Sequence, residues 1–154
     1  MPAPPVEDLQ LMEWGWGEKA AREFVGVAPS KVNIESEGFA AATPLLDLAP
    51  RAAAAYLGPY LLSLLAGLDF QKKVGLFDDV LIRAHTLTCL TSPEFWAGVI
   101  RPFLPNECRQ ALVEVVAYLS SERRMLSLTD EQVETMLAEA GLKRRSGETK
   151  PCGE

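Results

Sequence analysis

The chain has 154 residues, 48% of them hydrophobic and 23% charged, which excludes a wholly disordered, collagen-like or coiled-coil polypeptide. At this length one compact domain buries about two-thirds of its unfolded surface, and a second full domain is not expected. Fifteen Lys and Arg against twenty-one Asp and Glu leave a formal charge of −6, which repels a phosphate backbone, so nucleic acid is not an expected partner.

Residues 1–6 read as a disordered amino-terminal segment. The start MPAPPVEDLQ carries prolines and acids where a signal peptide would carry a basic region and an apolar core. Helical character is expected somewhere between residues 6 and 24, weakened in the middle by Gly15 and Gly17, each costing about 1 kcal/mol relative to alanine. Residues 27–43 hold Pro29, Asn33 and Gly38 without a clear period and read as loop, with one short strand-like segment at residues 31–34. Pro50 suits the first turn of a helix, since its missing N–H would have no partner there, and this helix is expected to run to about Leu68.

Asp78 is placed to cap a helix through Leu90, with Val80, Ala84 and Leu87 as its inward face. Thr91-Ser92-Pro93-Glu94 reads as a cap followed by a first-turn proline, opening a short helix that ends before Pro102. Pro105 starts the most regular helix, in which Cys108, Leu112, Val115, Val116 and Leu119 form a core-facing stripe. Thr129 to Gln132 has the capping-box pattern, Val133, Met136, Leu137 and Ala140 form the next buried face, and Gly141 supplies a left-handed stop. Residues 143–154 read as a disordered polar tail. The expected fold is all-α: a helical domain over residues 7–142, one bundle of five or six helices around a central apolar helix.

No stretch matches a phosphate-binding glycine loop, a nucleophile elbow, an H-E-x-x-H motif, an EF-hand or a paired C-x-x-C zinc pattern. No cofactor is therefore expected. Cys89, Cys108 and Cys152 are odd in number and widely spaced, which argues against a secreted disulfide framework and for a reducing cytoplasm. His85 and Cys89 are four apart on one helix, and with Cys108 they form the sharpest candidate for a metal site or a small enzyme. The plainer reading is a core histidine beside two cysteines acting as small hydrophobes.

Tyr56 and Tyr60 share a helix face and line either a polar seam of the core or a pocket, with His85 and Cys89 as its other members. Residues 52–68 contain no charge, near the lower limit for a membrane span, but four alanines and Gly58-Pro59 favour a buried helix. Asp78 and Asp79 are adjacent and point to different sides, which suits a cap better than a catalytic pair.

Acid is concentrated at one end: residues 1–50 hold eight acids and three bases. There Trp14 and Trp16 flank glycines among Glu7, Asp8, Glu13 and Glu18, a combination that suits a protein interface facing a basic partner. The expectation is thus a non-enzymatic acidic helical protein-binding module, immunity- or antitoxin-like in its most concrete form. The alternatives are a metal protein or enzyme using His85, Cys89 and Cys108, and a membrane-associated protein using residues 52–68.

The segments EGFAAATPLLDLAPRAAAAYLGPYLLSLL, LTSPEFW and PFLPNECRQALVEVVAYL, taken together, resemble a family of small all-helical bacterial proteins of unassigned function. In that family an aliphatic, proline-containing tyrosine segment precedes a helix ending in an aromatic-Leu pair. The resemblance spans roughly residues 18–120 and rests on apolar and proline positions. It implies a helical bacterial cytoplasmic protein and carries over no activity and no site.

Overall fold

Pro50 sets the start of the longest helix in the computed structural model, which describes residues 2–3, 26–35, 39, 45–46, 48–75 and 80–142. The expected helix within residues 6–24, the Asp78 cap and the carboxy-terminal tail lie outside the described residues. The chain forms two units, Met1–Leu104 and Pro105–Glu154. No strand occurs among the described residues, and the fold class is all-α.

In the first unit, helix α1 spans Pro50–Val74 and is central, touching the turn Pro29–Lys31 and the two helices that follow it. Its first half, from Ala52 to Leu57, is buried on every side, because four alanines let neighbours approach all round. Beyond Leu61 only one side stays covered, at Leu64 and Leu68. Each such leucine contributes about 1.5–3 kcal/mol of burial. Pro59 sits inside the helix, where it removes the N–H that would have bonded the Ala55 carbonyl.

The helix runs six residues past the expected end at Leu68. The extension carries an Asp69–Lys73 ion pair at 2.9 Å, four residues apart, and two lysines at the negative end of the helix dipole. Gly75 is the stop: its φ of 78° is left-handed, and its N–H returns to the Gln71 carbonyl.

Helix α2, Val80–Leu90, packs on α1. Its inward face differs from the expected Val80, Ala84 and Leu87 stripe. Leu87 is buried, but Ala84 is exposed, and Ile82, Arg83, Thr86, Cys89 and Leu90 are covered as well; the side chain of Val80 lies outside the described residues. Because the helix is apolar nearly all round, periodicity gave no reliable phase.

Helix α3 covers residues 93–103. Ser92 caps it by accepting from the Phe95 N–H, and Pro93 is the first helical residue, as expected. It continues through Pro102 rather than ending before it. The reason is a wide turn at Trp96–Ile100, where the Arg101 N–H reaches back five residues to the Trp96 carbonyl. A wide turn accommodates a proline ring that a regular turn would press against the carbonyl four residues earlier. The strand-like segment expected at residues 31–34 is also absent. Pro29–Lys31 is a tight helical turn, and the Asn33 side chain accepts from the Glu35 N–H at 3.1 Å, fixing a second turn.

In the second unit, helix α4 (Asn106–Ser121) packs with helix α5 (Asp130–Glu139). Leu112, Val116 and Leu119 form the buried stripe of α4, while Val115 is half-buried and Cys108, in the first turn, is exposed rather than core-facing. The Thr129 capping box forms in full: its hydroxyl accepts from the Gln132 N–H at 3.1 Å, and the Gln132 side chain accepts from the Thr129 N–H at 2.9 Å. Val133 and Met136 are buried, Leu137 and Ala140 only half-buried, and Gly141 takes the left-handed φ of 73°. Ser127, in the connecting loop, adopts φ 54°, a conformation that costs a non-glycine residue about 1–2 kcal/mol.

Candidate functional site

The chemistry-bearing side chains of the first unit gather on the buried side of α1. Tyr56 and Tyr60, one turn apart, are both fully buried. Tyr56 donates its hydroxyl to the Val27 carbonyl at 3.0 Å, tying the segment before the Pro29 turn to the helix. Tyr60 packs its ring 4.6 Å from Phe39, at a tilt of 31°, and 6.3 Å from the imidazole of His85 on α2. Cys89, one turn beyond His85, is fully buried and near enough to Tyr60 to disfavour its ionisation.

Burial governs the ionisation of this group. It pushes the Tyr56 hydroxyl up to about 12 and the Cys89 thiol up to about 12. Tyr60 is raised too, first by burial and then by the neighbouring Cys89. A thiol held protonated in an apolar setting is the reverse of an activated nucleophile, which needs a depressed pKa and access. His85 is half-buried, and its Nε2 atom lies inside the fold. The structure therefore brings Tyr60, His85 and Cys89 together, with Tyr56 one turn along α1.

Cys108 belongs to the second unit and is exposed. Among the described residues no three of His, Cys, Asp and Glu converge as a metal ion would require. Glu7, Asp8, Glu13, Trp14, Trp16 and Glu18 lie outside the described residues. Trp96 does not: it is buried, and its indole N–H donates to the Leu90 carbonyl at 2.8 Å, locking the wide turn of α3 to the end of α2.

Two features escaped the sequence reading. Arg83 is buried at the α1–α2 contact, where it donates to the Gln71 side chain at 2.6 Å, and burial lowers its pKa. A β-carbon at Gly67 would stand 3.8 Å from the guanidinium, an ordinary packing distance. No spacing rule marks a lone arginine as buried.

The second feature is a set of exposed apolar residues that winds around α1 toward its carboxyl end. Leu62 is 60% exposed, Phe70 40% and Val74 55%, and Ala66 between them is exposed as well. Their four-residue spacing was visible in the sequence, masked by the apolar run around it. At the amino end of the same helix, Arg51 lies 5.9 Å from the ring centre of half-exposed Phe103.

By length and composition α1 is able to cross a membrane, yet 56% of its most apolar window is buried within the fold. No family model, no curated protein and no solved structure matches this chain.

Proposed function

We propose that the protein is a non-enzymatic, cytoplasmic protein-binding module that acts through its surface. The observation that carries this reading is the division of α1. Tyr56 and Tyr60 are sealed in the fold with Cys89, whereas Leu62 and Ala66 stand in solvent on the far side of the helix and Phe70 and Val74 are exposed toward its carboxyl end. Groups that transform a substrate must reach it, and anchors that hold a partner must be exposed. The kinship with small bacterial helical proteins belongs to the same proposal.

An immunity- or antitoxin-like role against a basic partner is its most concrete form. The net charge of −6 and the eight acids in residues 1–50 supply a field that steers such a partner. The competing metal or enzyme reading through His85, Cys89 and Cys108 has weaker support, given a protonated buried Cys89 and an exposed Cys108 on the other unit. Association with a membrane through residues 52–68 is disfavoured by the burial of the first half of α1.

The test is affinity capture from the cells that make the protein, at low and at high salt. The expected result is a stoichiometric partner, retained at low salt and weakened when Glu7, Asp8, Glu13 and Glu18 are replaced by lysine. No retained protein at low salt, together with stoichiometric metal by elemental analysis, would overturn the reading.

A further inference from the structure

We infer that residues 27–35 form a strap that opens as a unit while α1 stays folded, and so controls access to Tyr56 and Tyr60. Tyr56 clamps one end of it, and Tyr60 holds the chain beyond the other end through Phe39. The two clamps are neighbours: four residues apart on α1, they share a face of the helix. Tyr56 donates its hydroxyl to the Val27 carbonyl at 3.0 Å, and the Tyr60 ring packs 4.6 Å from that of Phe39. The chain therefore meets α1 at Val27 and again at Phe39, one helical turn along. Surface loops whose ends meet in this way move as one piece and are frequently functional.

The stretch between the anchors is lightly held. None of residues 27–35 is buried: Ser30, Lys31, Asn33 and Glu35 are exposed and the others half-buried, whereas Phe39 is wholly covered. The hydrogen bonds that shape the strap stay within it. The Lys31 N–H donates to the Ala28 carbonyl at 2.8 Å, the Val32 N–H to the Pro29 carbonyl at 3.3 Å, and the Glu35 N–H to the Asn33 side chain at 3.1 Å. A three-residue helical turn does not persist in water on such bonds alone, so the anchors on α1 keep it formed.

The strap also has a pivot. Gly26, at its entrance, adopts a left-handed φ of 69°, and a β-carbon there would meet open space, so the backbone turn and not crowding calls for glycine. Lifting the strap breaks the Tyr56–Val27 bond and the Phe39–Tyr60 ring contact, and leaves the packing of α1 on α2 and α3 in place. In the closed form both tyrosines are fully buried; in the open form they meet solvent. Local opening of this kind costs less than global unfolding, and lids and binding loops are drawn from such segments.

The test is amide hydrogen exchange of the full-length protein by NMR, in increasing urea below the unfolding transition. The Lys31, Val32 and Glu35 amides should exchange faster than those of Leu57 and Leu64 on α1, with a shallower urea dependence, because opening the strap exposes little surface. Tyr56→Phe should speed the strap amides by about fivefold to a hundredfold, with an unchanged helical circular-dichroism spectrum. Phe39→Leu, at the far anchor, should speed the same amides by about fivefold or more, and should raise nitration of Tyr56 by tetranitromethane relative to exposed Tyr118.

Strap amides that follow the urea slope of α1 would overturn the inference, since the strap would then open only with the helix. Exchange unmoved by Tyr56→Phe would overturn the clamp. A response to Tyr56→Phe without one to Phe39→Leu would overturn the opening as a unit, and unchanged nitration of Tyr56 in Phe39→Leu would overturn the control of access.

Discussion

Raising the pH from 8 to 10 should destabilise the first unit, through three buried acids that stay protonated when folded. The Cys89 thiol ionises near 9.0 in an unfolded chain and only near about 12 in the fold. Above pH 9 the unfolded chain therefore binds fewer protons than the native one, and stability falls as pH rises. At pH 10 the loss from Cys89 alone is about 1.4 kcal/mol, one pH unit past the unfolded value. Tyr56 and Tyr60, with unfolded values of 10.0 and raised folded ones, add about 0.4 kcal/mol each at the same pH.

The total, about 2 kcal/mol, is large beside the 5–15 kcal/mol of a typical domain. Urea unfolding under reducing conditions at pH 8, 9 and 10, followed by fluorescence and circular dichroism, measures it; buried Trp96 reports on this unit. Cys89→Ala provides the control. Removing the sulfur should cost about 1 kcal/mol at pH 8 but shrink the further loss by pH 10 to about 0.8 kcal/mol. A stability that stays level from pH 8 to 10, or a Cys89→Ala variant with the same pH slope as the parent, would refute the assignment of Cys89 to the buried, protonated group.

Other substitutions probe the helices separately. Tyr56→Phe removes the hydroxyl that the Val27 carbonyl accepts and should cost about 1–3 kcal/mol in chemical denaturation, with little change in helix content. On α1, Leu64→Ala should cost about 2–5 kcal/mol, because the side chain is buried, whereas Leu62→Ala, two residues earlier and largely exposed, should stay within about 0.5 kcal/mol of the parent at concentrations where the protein is monomeric. Thr129→Ala breaks the capping box of α5 and should lower the stability of the second unit by about 0.5–2 kcal/mol, which hydrogen exchange of the α5 amides can follow. Ser127→Gly should do the opposite: the relief of the left-handed strain, about 1–2 kcal/mol, exceeds or offsets the added flexibility of glycine, about 0.5–1 kcal/mol.

Where a structural decision is local, the sequence carries it. The Thr129–Gln132 box, the left-handed Gly141, the Ser92–Pro93 start and the Pro50 start depend on a few adjacent residues and appear as expected. The end of α1 was legible too, in Gly75 and the Asp69–Lys73 spacing, but the end of the uncharged run at Leu68 drew the boundary instead. The passage of α3 through Pro102 depends on a wide turn that no residue pattern announces.

The phase of α2 is set from outside it. Gln71 on α1 offers Arg83 an acceptor, so Arg83 turns inward and Ala84 is left exposed. The candidate site divides in the same way. The shared face of Tyr56 and Tyr60 and the one-turn spacing of His85 and Cys89 follow from helical geometry alone. That Phe39 and His85 both pack on Tyr60 follows from long-range folding. Cys108 fits the periodic stripe of α4, yet in the first turn of that helix it is exposed.

Native mass spectrometry of the protein isolated from its own cells tests the central claim most directly, because one spectrum reports metal, small ligand, self-association and retained protein together. A surface-acting binding module predicts complexes with protein, a second copy or another chain, and no stoichiometric metal or small molecule. A monomer carrying a stoichiometric metal ion or small-molecule adduct would contradict it and move the function to Tyr60, His85 and Cys89.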